Sequence, residues 1–276
     1  MRNKIGVMQG RLLPKYQGRY QAHPKGYWEK EFKTAKNIGL DCIEFILDFN
    51  DAEQNPLLKA GGVDEILKVW NNTGVSVNTI CADYFIEAPL HAKNENEAMK
   101  SKKILINLLQ TASQIGVTDI VIPCVDKSSL ANTHAVDRFV DQIRTILPYA
   151  EERNINFSLE TDLPPQPFVD LLSRLDSNCI TINYDIGNSA ALGYNPVEEL
   201  NAYGGRISDI HIKDRTLGGG PVVLGNGDAD FKVFFQKLKE FKYSGPFIMQ
   251  AYRDDEGIEI FKKQLNWVTP YFNIIK

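Results

Sequence analysis

The chain has 276 residues, 43% hydrophobic and 24% charged, a composition that buries a sizeable core and excludes disordered and fibrous classes. Thirty-one Lys and Arg stand against 35 Asp and Glu, for a net charge of −4, which argues against broad electrostatic capture of nucleic acid or anionic lipid. The opening MRNKIGVMQ lacks the apolar core of a signal peptide, and no run approaches the roughly 18 apolar residues of a membrane helix, so the expected location is the cytoplasm. The four cysteines, Cys42, Cys81, Cys124 and Cys179, form no CxxC pair and each lies in or beside an apolar run; all four read as buried thiols.

In chain order, apolar β-branched runs predict strands at 4–9, 41–47, 75–80, 117–123, 155–161, 179–184, 206–212 and 246–251. Segments with helical spacing follow them at 28–38, 62–73, 94–115, 130–153, 165–175, 195–203, 231–242 and 256–273. Gly39, Gly74 and Gly116 each close a helix just before the next strand, where a residue without Cβ takes the left-handed conformation freely. Eight βα units predict a single (β/α)8 TIM barrel spanning 1–276. An open doubly wound sheet would need a Gly-rich phosphate loop after the first strand, and Gly6 and Gly10 are too sparse for one. No linker or composition break marks a second domain.

Chemistry in such a barrel sits at the C-terminal ends of the strands. Glu160, Asp185 and His211 occupy equivalent places on the fifth, sixth and seventh strands, and Gln250 takes the corresponding place on the eighth. Two carboxylates, an imidazole and an amide oxygen suit Mn2+, Mg2+, Zn2+ or a related divalent ion such as Co2+. Lys213 and Arg215 follow His211 on a loop where barrels build anion sites, with Gly218, Gly219 and Gly220 beside them. Asp83 ends the third strand; Arg11 and Arg253 are further rim positions. Trp28, Tyr84, Phe85 and Tyr194 either wall the pocket or pack the core, and Glu44 either touches substrate or is a satisfied interior carboxylate. Asp228 and Asp230 are placed to cap the helix at 231.

Several segments resemble the xylose-isomerase-like TIM-barrel superfamily: MQGRL, SLETDL around Glu160, YDIGNSAALGY, HIKDR, LGNGDADF and GPFIMQAYR. They are most similar to its sugar-phosphate isomerase and epimerase branch, which has comparable DxGN and HxKD segments. The resemblance implies one divalent metal held by Glu160, Asp185, His211 and Gln250, with a sugar-binding place at Asn188, to which strand-end position adds Asp83, Arg215 and Arg253. It departs at two positions: Gln250 stands where relatives commonly have Glu, and Asn188 where many have His. The endonuclease branch needs many more His and acidic ligands, and this chain has four histidines.

The expected activity is therefore divalent-metal-dependent isomerisation or epimerisation of a small sugar or sugar phosphate through an enediolate, with Glu160 as base and either Lys213 or Asp83 as a second proton carrier, or Glu160 working alone from one face. Two alternatives stand beside it: a dehydratase or lyase acting on a keto-sugar or keto-polyol, and a sugar-binding barrel without catalysis, which the amide of Gln250 would fit. The partners expected are the small-molecule sugar and, as an open alternative, further copies of this chain in a homo-oligomer, with neither nucleic acid nor membrane.

Overall fold

The computed structural model describes residues 2–275. Its strands are β1 (Ile5–Met8), β2 (Cys42–Ile46), β3 (Thr79–Cys81), β4 (Asp119–Cys124), β5 (Asn156–Thr161), β6 (Ile180–Asp185), β7 (Ile207–Ile212), the hairpin pair β8 (Asp214–Arg215) and β9 (Pro221–Val222), and β10 (Phe247–Met249). The helices are α1 (Glu29–Ile38), α2 (Gly62–Thr73), α3 (Tyr84–Glu87), α4 (Glu95–Ile115), α5 (Thr133–Arg153), α6 (Pro165–Leu175), α7 (Ile186–Leu192), α8 (Pro196–Tyr203), α9 (Phe231–Leu238) and α10 (Ile258–Phe272). The eight parallel strands close in the order β1-β10-β7-β6-β5-β4-β3-β2, the TIM barrel that the eight βα units predict.

Two compact units divide the chain, with their boundaries falling inside β2 and β6. In the unit holding the chain up to Glu44, residues 73–76 and the chain from Asn183, β1 pairs with β2 through Val7↔Ile43 and Met8↔Glu44, and with β10 through Val7↔Met249. β10 pairs in turn with β7, setting Ile248 beside His211. In the unit of residues 45–72 and 77–182, β4 and β5 pair along six residues each, from Asp119↔Asn156 to Cys124↔Thr161.

The local signals account for most boundaries. Gly39 and Gly116 end α1 and α4 with φ of 89° and 85°, where any Cβ would be strained. Asn94 caps α4 by accepting from the amides of Asn96 and Glu97. Asp230 caps α9 by accepting from Val233 N at 2.9 Å, whereas Asp228 instead accepts from Leu217 N.

The structure corrects several expectations. The third strand is Thr79–Cys81 rather than 75–80, and Ser76 ahead of it makes only an isolated bridge to Cys42. The helix expected over 231–242 stops at Leu238 and finishes as a 3-10 turn over Lys239–Phe241. The short elements α3, α7, β8 and β9 were absent from the sequence reading. Cys42, Cys81 and Cys124 are buried, while Cys179 is only half-buried.

Candidate metal and substrate site

Asp185 is both the last residue of β6 and the N-cap of α7. Its Oδ1 accepts from Asn188 N at 2.8 Å, and its Oδ2 accepts from Lys213 Nζ at 3.1 Å. One oxygen thus ends the strand as a helix cap while the other faces the site. His211, second to last on β7 and fully buried, has its Nε2 2.7 Å from Glu44 Oε1 and its Nδ1 3.9 Å from Asp185 Oδ2. Asp209 Oδ2 lies 4.0 Å from the same Nε2 and accepts from Asn183 Nδ2.

Glu160, in the other compact unit, lies near the end of β5 and is buried; beside Asp185, the group of Glu44, Asp209 and His211 offers ligand atoms that all lie within 4.8 Å of one another. Gln250 follows β10 directly and is 4% exposed. His211 Nδ1 and Gln250 Oε1 are both buried without a hydrogen-bond partner, a costly state for a polar atom in a barrel interior. A cation relieves that cost. A carboxylate oxygen, an imidazole nitrogen and an amide oxygen are donors that suit a divalent ion, so the residues fit the group.

Around the cluster the basic residues are already engaged. Lys213 also donates to Asn188 Oδ1 at 3.1 Å; Arg215 donates to the same oxygen at 2.8 Å and to Gly219 O through Nε and a second guanidinium nitrogen. Asn188 is therefore gripped by both cations. The close approach that allows this depends on Gly187, where a Cβ would come within 2.8 Å of Lys213 Cγ and 3.0 Å of its carbonyl carbon. Buried Asp214 accepts from Gly225 N, Gly227 N and Ala229 N, which ties the LGNGDADF loop to the end of the site.

Arg253, expected on substrate, is spent elsewhere: its guanidinium donates to the carbonyls of Gly10, Leu13, Asp254 and Asp255, pinning the loop after β1 to the loop after β10. Arg11 likewise donates to Ala251 O, Tyr20 O and Gln21 Oε1. Glu31 completes this loop by accepting from Gly10 N and Leu12 N at 2.7 and 2.9 Å, and burial pushes its carboxyl up to about 7. Asp83 precedes α3 and accepts from the Cys81 thiol at 3.2 Å. Trp28, Tyr84 and Phe85 are core residues, while Tyr194 lines a small cavity with Tyr184, Ser189 and Phe234.

Sequence reasoning missed Asp209 and Asn183, although each stands two residues before a site residue and so faces the same side of its strand. It also missed a buried hydroxyl network in which Tyr184, Ser189 and Tyr203 all donate to Glu199, Tyr184 at 2.6 Å and Tyr203 at 2.8 Å. Burial raises the Glu199 carboxyl, opposed by these three donors. The network fastens α8 to β6 and α7, the elements that carry Asp185.

Residues 32–271 match the family model described as xylose isomerase-like TIM barrel. The chain is 25% identical over 257 residues to L-ribulose-5-phosphate 3-epimerase UlaE of Salmonella typhi, covering 87% of this chain and 88% of that one. Among solved structures it is similar to the D-allulose 3-epimerase of a Methylomonas species in complex with D-allulose, at a TM-score of 0.76, 15% identity and coverage of 98% and 97% of the two chains. It is similar also to 3-keto-D-glucoside 4-epimerase of E. coli, at a TM-score of 0.74, 17% identity and coverage of 98% and 100%. The structural likenesses establish the shared fold, and the model match extends over nearly the whole barrel. The chain is a member of the xylose isomerase-like TIM-barrel family.

Proposed function

We propose that this chain is an isomerase-class enzyme that holds one divalent ion (Mn2+, Mg2+, Zn2+ or Co2+) through Glu160, Asp185, His211 and Gln250 and interconverts a small sugar or sugar phosphate by way of an enediolate. The observation that carries the reading is Asp185 Oδ2 facing His211 Nδ1 at 3.9 Å, with that nitrogen and Gln250 Oε1 both buried without a hydrogen-bond partner. The sugar class is supported by the curated relative, an L-ribulose-5-phosphate 3-epimerase.

A divalent ion bound there supplies Lewis acidity, which acidifies the carbon beside a substrate carbonyl and stabilises the charge that develops. Glu160 is the base that takes the proton from that carbon. Asp185, occupied as a helix cap on one oxygen, is suited to holding rather than to proton transfer. Gln250 has no proton to exchange near neutrality, so the symmetric use of two carboxylates on opposite faces is disfavoured. Lys213, with its ammonium on Asp185 Oδ2, is the better placed second proton carrier. Work from one face with Glu160 alone suits aldose–ketose isomerisation. A phosphate on the substrate would be met by Lys213 and Arg215, released from Asn188. No helix among the described residues is long and apolar enough to cross a membrane, and four cysteines outside any disulfide support a reducing compartment such as the cytoplasm.

The test is turnover of a panel of ketoses and ketose phosphates by protein stripped with a chelator and reloaded with Mn2+. The reading expects interconversion that disappears on stripping and returns on reloading. Turnover that survives complete removal of metal would remove its basis, and a dehydrated product would move the chain to the lyase class.

A further inference from the structure

Glu44 carries an inference that rests on the metal reading and extends it. The residue is held by its backbone: Glu44 pairs with Met8 in the β1–β2 ladder, and its carbonyl accepts from Gln9 N at 2.9 Å. Its side chain is fully buried and places Oε1 2.7 Å from His211 Nε2, a ring that is itself fully buried. Asp209 does not compete for that nitrogen: it is 4.0 Å away, and its oxygens accept from Asn183 Nδ2 and Ile210 N.

A neutral imidazole carries its proton on one nitrogen, and the partner of the other decides which. If the proton were on Nδ1, a buried N–H would lack an acceptor, and the bare Nε2 would face a carboxylate oxygen. With the proton on Nε2, the 2.7 Å contact is a charge-assisted hydrogen bond and Nδ1 presents its lone pair on the side of Asp185 Oδ2. We propose that Glu44 is a positioning residue: by accepting the Nε2–H of His211 it turns Nδ1 toward the cation, and its charge raises the donor strength of that nitrogen in a site where Gln250 contributes none. Carboxylate–histidine pairs of this kind fix ring orientation and ligand basicity, and losing the outer partner costs about ten- to a hundred-fold in metal affinity.

The test has two readouts. Nitrogen-15 spectra of the metal-free, histidine-labelled wild type report the tautomer directly, and with four histidines in the chain the His211 signals are assigned by their loss in His211→Asn. The expected result is an Nε2–H tautomer. Glu44→Gln keeps an acceptor at the same place but removes the charge, and calorimetry with Mn2+ alone should show binding weakened about ten- to a hundred-fold. An Nδ1–H tautomer in the wild type would overturn the proposal, and would do so even if the variant failed to fold. Mn2+ binding to a folded Glu44→Gln within two-fold of wild type would overturn it as well. A wild type that takes up no Mn2+ is a different outcome: it removes the metal reading of the whole site and this inference with it.

Discussion

Lys213 places its ammonium 3.1 Å from the same Asp185 oxygen that faces the Nδ1 of His211 at 3.9 Å. A cation between Asp185 and His211 therefore meets a positive charge already in residence. Removing that charge with Lys213→Met should tighten Mn2+ binding several-fold while lowering turnover. Titration calorimetry on the variant checks this, and an affinity equal to or weaker than wild type would show that Lys213 does not contend with the ion.

The grip of Arg215 on Asn188 and Gly219 is separate from its value to a phosphorylated substrate. Arg215→Ala should raise KM for a ketose phosphate on the order of ten-fold or more, as expected for loss of a charge-assisted contact, and change KM for the free ketose far less. Steady-state kinetics on matched pairs decides this. Equal rises for both sugars would assign Arg215 to loop structure alone.

Gln250→Glu restores the carboxylate common among relatives. The variant should keep the metal and bind it more tightly, since a charged oxygen replaces a neutral one, and it should gain inversion at the carbon that Glu160 addresses. Product stereochemistry by NMR reads this out. Efficient C3 inversion by the wild type, persisting in Asp83→Asn and Lys213→Met, would contradict the account in which Glu160 is the sole carboxylate base.

Much of this architecture is legible in the sequence because each strand announces itself locally, and the strand-end places of Glu160, Asp185, His211 and Gln250 follow from counting along those strands. What sequence could not give is pairing through the barrel interior. Glu44 and His211 are 167 residues apart, and only closure of the ladder brings them together, so Glu44 could be read as substrate contact or interior carboxylate with equal reason. The partners of Arg253 were hidden for a similar cause: two of the four carbonyls that accept from it, those of Gly10 and Leu13, belong to the loop after β1, at the other end of the chain. α7 was overlooked because Gly187 and Asn188 resemble a loop, although its capping signals, Asp185 and Gly193 with φ of 74°, were both present.

The loop that Arg253 and Glu31 share should leave a mark on stability against pH. Burial raises the Glu31 carboxyl from 4.5 to about 7, so between those values the folded chain binds more protons than the unfolded one, and stability from this group falls as pH rises through the window. Glu31→Gln removes that slope. Buried His91 acts with the opposite sign: burial lowers it from 6.5 to about 4, so its contribution grows as pH rises across that range. Denaturant unfolding from pH 4.5 to 7.5 should show Glu31→Gln, less stable overall, losing less stability than wild type as pH is raised. Parallel pH profiles would mean that Glu31 does not titrate in the folded state as its burial requires.

The central claim is that the Glu160 carboxylate moves the proton, whereas an amide oxygen in its place suffices to keep the metal. The most direct measurement follows solvent deuterium into a ketose substrate by NMR, with Mn2+-loaded wild type and Mn2+-loaded Glu160→Gln compared in deuterated water. The account predicts deuterium at the carbon beside the carbonyl with the wild type, and at least a hundred-fold slower incorporation with the variant, on the scale of a lost general base, while metal content stays near one ion per chain. Undiminished incorporation by metal-loaded Glu160→Gln would contradict it.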